Sequence, residues 1–242
     1  MRRIIIVGAT SGLGNELAKI FISLGWKTGI AGRRSSVLEE MKSAAPDQVE
    51  YQVMDITRPE APEQLLDLIQ RLGGMDIYFH SAGTGKRNPQ LIPEIETNTT
   101  QLNAMGFVNM ITCAFNYMKE HGGGHIAVIT SVAGTRGMGL NPSYSSTKKF
   151  QITYLDALAQ LARNLKIPVR ITDIRPGFVK TPMLSHADYP LLMDPGYVAL
   201  KIFNALMKKR RRVIIDYRFG IITFFWKLIP QAIWERIDIG HR

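Results

Sequence analysis

Tyr144 and Lys148 stand four residues apart in the stretch PSYSSTKKF, residues 142–150. On a helix that spacing puts a phenol and an ammonium on one face. A phenol that gives up or takes back a proton, beside a cation that favours its ionised form, is a unit for acid–base chemistry on a substrate oxygen. A free tyrosine titrates near pH ~10, so work near neutrality needs a shift of about 2–3 units, roughly 3–4 kcal/mol. A cation about 4 Å away at an effective dielectric of ~20 supplies about 4 kcal/mol. One lysine is therefore of the right size. Alone, however, the spacing is common, and a core tyrosine with a surface lysine describes it better.

Two further groups change that reading. GATSGLG holds Gly8, Gly12 and Gly14 directly after an apolar run. Glycines there permit a tight turn and the close approach of a diphosphate, which the N-terminus of a following helix would receive. Beyond the second apolar run, AGRRSS carries Arg33 and Arg34 where an acidic residue would serve ribose hydroxyls. A guanidinium fork suits a 2′-phosphate, so beside the glycine loop these arginines favour NADP(H) over NAD(H). By themselves they read equally as solvated surface residues.

These residues need a frame. Strand-length apolar runs (3–8, 27–32, 50–55, 75–81, 124–131, 168–174 and 211–217) alternate with helical patterns, the longest over roughly 95–121 and 142–165. Several runs lack polar alternation, as strands buried on both faces of a parallel sheet do. The pattern predicts one doubly wound α/β domain with a seven-stranded parallel sheet and helices on both faces. Ligands bind such sheets beyond the carboxyl ends of the strands. The glycine loop, Ser131 at the end of the fifth run, and Tyr144 thirteen residues later all fall at that edge. Asn141 and Pro142 read as N-cap and first residue of the helix that carries Tyr144.

In sequential order GATSGLG, MDI, HSAG, QLNAMG, ITSVAG, YSSTK and RPGFVKTP, over roughly residues 3–182, resemble the short-chain dehydrogenase/reductase family. The resemblance implies a Rossmann-type fold and a Ser–Tyr–Lys site that exchanges hydride with NADP(H). In it Tyr144 is the acid or base, Ser131 orients the carbonyl or alcohol, Lys148 holds the nicotinamide ribose, and Asn103 supports a water and proton relay. It also implies cofactor contacts from Gly8, Thr10, Ser11, Gly12, Leu13 and Gly14, and from Arg33 and Arg34. Asp55 and Ile56 would lie at the adenine, with Ser81, Ala82 and Gly83 by its ribose. Pro176, Gly177, Val179 and Thr181 would line the nicotinamide side. The chain departs from the family at Val7 (usually Thr), at His80-Ser81 (usually Asn-Asn), and at Ser11, where an NADP enzyme often has Arg. His80 reads as a packed strand residue.

The resemblance divides the chain into a catalytic domain over 1–217, with a substrate lid at about 182–195, and a C-terminal extension over 218–242. In the lid, Met183, Leu184, Tyr189, Leu191, Leu192 and Met193 suit an apolar ketone or aldehyde; they equally fit packing on the domain. His186 and Asp188 are too few for a metal, and no metal is expected. The activity expected is reduction of an apolar carbonyl. The alternatives are reduction of a 3-oxoacyl group on an acidic carrier protein, and an NADPH-binding sensor without turnover.

The net charge is +10, and residues 201–242 carry ten Lys or Arg against three Asp or Glu. KKRRR (208–212) precedes an apolar aromatic stretch too short to span a bilayer and broken by Lys227. Pro230 should begin a second short helix with Ile233, Trp234 and Ile237 along one face. The extension reads as a subunit interface or a cover over the cleft, with a peripheral membrane contact as the alternative. Aromatics clustered with aliphatics argue against nucleic acid. A homo-oligomer and a cytoplasmic location, with membrane association as the variant, complete the expectations. The first apolar run is too short for a signal peptide, and the single Cys113 requires no oxidising compartment and reads as a core thiol.

Overall fold

Ile4 and Ile6 face one side of the first strand while Ile5 and Val7 face the other, and all four are buried. That period of two, with apolar residues at both phases, places a strand inside a sheet covered on both faces. The computed structural model describes residues 2–184 and 189–237; His186 and Asp188 lie outside them. Seven strands, β1 (Arg3–Val7), β2 (Lys27–Gly32), β3 (Val49–Val53), β4 (Ile77–His80), β5 (Gly124–Ile129), β6 (Val169–Pro176) and β7 (Arg212–Ile215), form one sheet in the order β3-β2-β1-β4-β5-β6-β7. Every neighbouring pair is parallel.

The helices α1 (Gly12–Ser23), α2 (Ser35–Ala44) and α7 (Pro195–Met207) pack on one face through Leu17, Phe21, Leu38 and Ile202. On the other face α3 (Ala61–Leu72), α5 (Phe107–Glu120) and α6 (Pro142–Asn164) contribute Leu65, Leu68, Met110 and Leu155. The chain leaves β1 for one strand neighbour and later returns to the other. A crevice therefore opens at the carboxyl ends of β1 and β4, the switch point where open α/β sheets bind ligands.

The helix expected over 95–121 is two helices, α4 (Pro93–Thr100) and α5, joined by a π-helical turn at Gln101–Gly106. One extra residue in one turn leaves hydrophobic periodicity almost untouched, so only the coordinates reveal it. Gly106 permits the turn to lie against the loop after β3, because a Cβ there would stand 2.8 Å from the carbonyl oxygen of Ile56.

The C-terminal extension begins as α8 (Tyr217–Leu228), capped by the Asp216 carboxylate, which accepts from the Arg218 N–H at 2.9 Å. The second helix, α9 (Gln231–Trp234), is a single turn after Pro230. Its expected common face does not form: Trp234 is buried, whereas Ile233 and Ile237 are exposed. One turn is too short to align them, and Trp234 instead donates its indole N–H to Gly137 O at 2.9 Å. The basic run and the apolar helix, adjacent in sequence, lie at opposite ends of β7. At the basic end Arg211 and Arg212 pair with Asp156 at 2.6 and 3.2 Å. Among the described residues no helix is long and apolar enough to cross a membrane.

Candidate active site

Gly8 follows β1 with φ +92, and a Cβ on it would meet Ala82 N at 2.5 Å. On Gly14 a Cβ would meet Gly8 O at 2.3 Å. Glycine alone lets this loop pack against the end of β4 while α1 packs against the loop. Ser11, at the N-cap, forms no side-chain cap, so the first N–H groups of α1 are not consumed by it and the helix end can receive an anion. This cradle, which any side chain would fill, fits the diphosphate of a dinucleotide.

A cleft of about 1820 Å³ runs from this loop across the carboxyl edge. Small-molecule sites span roughly 300–1,000 Å³, so the cleft has room for a cofactor and a second ligand. Thr10, Ser11, Gly12 and Leu13 line it at the loop, with Arg33, Arg34, Asp55 and Ile56 beside them. Ser81, Ala82 and Gly83 follow β4, and Pro176, Gly177, Val179 and Thr181 follow β6. Ser131, Tyr144 and Lys148 lie between these groups. Of the catalytic and cofactor residues singled out from sequence, Gly14 and Asn103 stand behind the lining rather than in it.

Arg34 donates to Thr10 O at 2.7 Å and to Thr10 Oγ1 at 3.0 Å, which ties an exposed guanidinium to the loop. Asp55 accepts from the N–H and hydroxyl of Thr57 at 3.0 and 2.8 Å. Burial pushes its carboxyl up, but these bonds and the charge of Arg33 outweigh burial and hold it below its ordinary value.

Ser131, expected to end the fifth strand, lies two residues beyond β5 at the N-cap of a 3-10 turn (Val132–Thr135), where its hydroxyl accepts from Ala133 N at 3.1 Å. Its side chain also reaches the Tyr144 phenol. Lys148 is buried, with Nζ donating to Ile129 O at 2.9 Å and Gln151 Oε1 at 3.0 Å. It lies 5.8 Å from the centre of the Tyr144 ring. The expected lowering of the phenol by the lysine is not what the protein alone provides. Burial raises Tyr144, with the Ser131 hydrogen bond pulling the other way. Burial also draws Lys148 down to about 7, opposed by the charge of Asp173. Desolvation penalises both charged forms and here exceeds their mutual attraction. At neutral pH the phenol is protonated and set to give its proton.

Asn141 occupies the N-cap position of α6 but makes no side-chain cap. The cap comes from Glu96 on α4, whose Oε2 accepts from Ser143 N at 3.0 Å while Oε1 accepts from Asn88 Nδ2 at 2.8 Å. A carboxylate forty-seven residues away in sequence thus fixes the turn that carries Tyr144. Asn103, in the π-helical turn, clasps the backbone of Thr84 at both N–H (2.9 Å) and carbonyl (2.7 Å) and reaches Thr147 Oγ1 at 3.2 Å. Its side chain anchors the loop after β4. The Asn103 main-chain carbonyl accepts from Gln151 Nε2 at 2.8 Å.

His80 is fully buried in β4, with Nδ1 3.0 Å from the Tyr78 hydroxyl. Burial lowers it to about 3, so it stays neutral. Cys113 is half-buried, and burial raises its thiol to about 11. Among the described residues no three His, Cys, Asp or Glu side chains gather to hold a metal.

The far end of the cleft is apolar. Met183, Leu184, Tyr189 and Leu191 line it, whereas Leu192 does not and Met193 is buried in the core. Phe219, Ile222 and Trp226 of α8 complete this wall. Phe178 stacks on Tyr189 at 4.6 Å and meets Phe219 edge-on at 5.8 Å. Arg136 staples the extension down, donating to Trp226 O at 3.0 Å, Gln231 Oε1 at 3.0 Å, Lys227 O at 3.2 Å and Ile229 O.

The sheet order, the glycine cradle and the Ser–Tyr–Lys group at the switch point define an oxidoreductase built on a dinucleotide fold. The short chain dehydrogenase family model matches residues 2–189, and the chain belongs to that family. A relative from Myxococcus xanthus (strain DK1622), called an uncharacterized oxidoreductase, is 28% identical over 242 residues, covering 97% of this chain and 95% of its own. The closed form of a serine dehydrogenase complexed with NADP+ superposes with a TM-score of 0.79 at 24% identity, covering 88% of this chain and 94% of that one. A 3-ketoacyl-(acyl-carrier-protein) reductase from Brucella melitensis complexed with NADH gives 0.77 at 20% identity, covering 89% and 96%. At these identities the two structures speak for the fold.

Proposed function

We propose that the protein is an NADP(H)-dependent reductase of an apolar ketone or aldehyde. One observation carries this reading: Ser131, Tyr144 and Lys148 line a single cleft that has the glycine cradle at one end and an apolar wall at the other. Hydride transfer is the chemistry a nicotinamide supplies when bound. The residues of the chain do the rest. Ser131 holds the carbonyl oxygen by a hydrogen bond. Tyr144, kept protonated by burial, donates its proton to that oxygen as the carbon becomes C–H, so C=O plus hydride plus proton gives the alcohol. Lys148 stands behind the phenol to favour the phenolate that remains.

NADP(H) is preferred because Arg33 and Arg34 follow β2 directly and line the cleft beside the cradle, where an acidic residue would serve the ribose hydroxyls of NAD(H). A carrier-bound acyl substrate is disfavoured because the basic run lies at the amino end of β7, away from the cleft mouth. A sensor would need the cradle but not the complete Ser–Tyr–Lys group. The extension serves as a wall of the substrate cleft, held by Arg136.

The test is titration with NADPH and NADH followed by a panel of apolar ketones and aldehydes. We expect NADPH to bind more tightly and an apolar ketone to be reduced. In Tyr144→Phe, turnover should fall by about 10²–10⁴-fold with NADPH affinity unchanged. Retained turnover in that variant would remove the mechanism, and binding of neither nucleotide would remove the enzyme reading.

A further inference from the structure

Gln151 is fully buried and lies three residues after Lys148, on the helix face that carries Tyr144. Its amide has only one workable orientation. The Asn103 carbonyl can only accept, so Nε2 faces it at 2.8 Å, and Oε1 is left to accept from Lys148 at 3.0 Å. Resting on the reductase reading, we propose that Gln151 is a positioning residue. Its amide couples Lys148 to the Asn103 carbonyl.

Two consequences follow from the chemistry. An amide N–H donates a hydrogen bond but hands on no proton at neutral pH, so the Gln151 bridge itself carries no proton between Lys148 and the Asn103 carbonyl. Two directions of the tetrahedral Lys148 nitrogen are taken by Ile129 O and Gln151 Oε1. The third is the one at which a proton is gained or lost. The charged and titratable groups around this nitrogen are Tyr144 on its own helix, neutral His80 from β4, and Asp173 from β6. Arg175 shares the Asp173 charge at 2.5 Å. Of the groups around the nitrogen, Gln151 is the side chain that accepts a hydrogen bond from it.

The test reads Lys148 directly. Protein labelled with [ε-13C]lysine is titrated by NMR without substrate or nucleotide, with Lys148→Met assigning the resonance. Loss of a hydrogen bond to a charged group is worth about tenfold or more. Gln151→Leu should therefore lower the Lys148 titration by about one pH unit, and Gln151→Glu, which adds a negative charge, should raise it. The pH profile of turnover should move in the same two directions. An unchanged Lys148 titration in both folded variants would overturn the proposal. Should Gln151→Leu fail to fold, absence of an upward shift in Gln151→Glu overturns it alone. Opposite shifts in a protein that reduces no carbonyl would uphold the role of Gln151 while removing the reductase reading.

Discussion

At one end of the cleft Lys148, Asn103, Thr84 and Gln151 are locked by hydrogen bonds of 2.7–3.0 Å, each between defined atoms. At the other end the side chains of Phe178, Tyr189 and Phe219 make a wall by ring packing, continued by Trp226, whose backbone Arg136 holds. The first kind of contact tolerates few residue types and leaves motifs. The second tolerates most large apolar side chains and leaves only composition. Reaction type is thus built from polar geometry, while substrate choice is built from shape.

The comparison breaks most sharply at the cradle. Gly14→Ala would put a Cβ 2.3 Å from Gly8 O, a backbone atom that no rotamer change can move aside. Overpacking of ~1–3 kcal/mol predicts nucleotide affinity about tenfold to a hundredfold weaker in a folded protein, measured by fluorescence titration. Unchanged affinity would mean that the loop adapts as freely as the apolar end.

Next is the choice between nucleotides. Arg34→Ala removes the guanidinium that Thr10 holds at the cleft. A lost hydrogen bond to a charged group predicts NADPH binding about tenfold weaker, with NADH unaffected. An equal loss for both would assign Arg34 to loop support instead of phosphate recognition.

A smaller effect is expected at the apolar end. Arg136→Ala releases the carbonyls of Trp226, Lys227 and Ile229 and loosens α8, so KM for an apolar ketone should rise about threefold to tenfold, with NADPH affinity unchanged, for a loss of ~1 kcal/mol. A fall in NADPH affinity would show that the two ends are one mechanical unit.

How much was legible follows the same division. The seven strands, the burial of the inner ones on both faces and the grouping of Ser131, Tyr144 and Lys148 at one edge could all be read, because period and motif spacing are local. Three features could not. Glu96 caps α6 in place of Asn141 because a carboxylate on a neighbouring helix reaches the same N–H, and no local pattern records that. The π-helical turn hides within ordinary helical periodicity. The aromatic residues of α8 were visible only as an apolar tail, since what they face depends on the staple from Arg136. Gln151 was within reach: 144, 148 and 151 follow the helical repeat, and a glutamine on that face was a signal.

The smallest effect probes what the polar end does to stability. Burial holds Lys148 at about 7 against its ordinary 10.5. Between those values the unfolded chain keeps a proton that the folded chain has shed, so stability rises with pH across that window. Below about 7 both states carry the proton, and the cost of burying the ammonium is felt in full. Lys148→Met removes the group, so any advantage of the variant in Tm should be largest near pH 6.5 and shrink toward pH 9.5. The scan stops there because Tyr144 acts with the opposite sign: its raised phenol keeps a proton that the unfolded chain loses above about 10. A Tm difference independent of pH would mean that Lys148 keeps its charge when folded, and that the hydrogen bonds it donates to Ile129 O and Gln151 Oε1 fully offset its desolvation. The predicted slope would instead identify the catalytic end as the place where this fold gives up stability to hold a lysine close to neutrality.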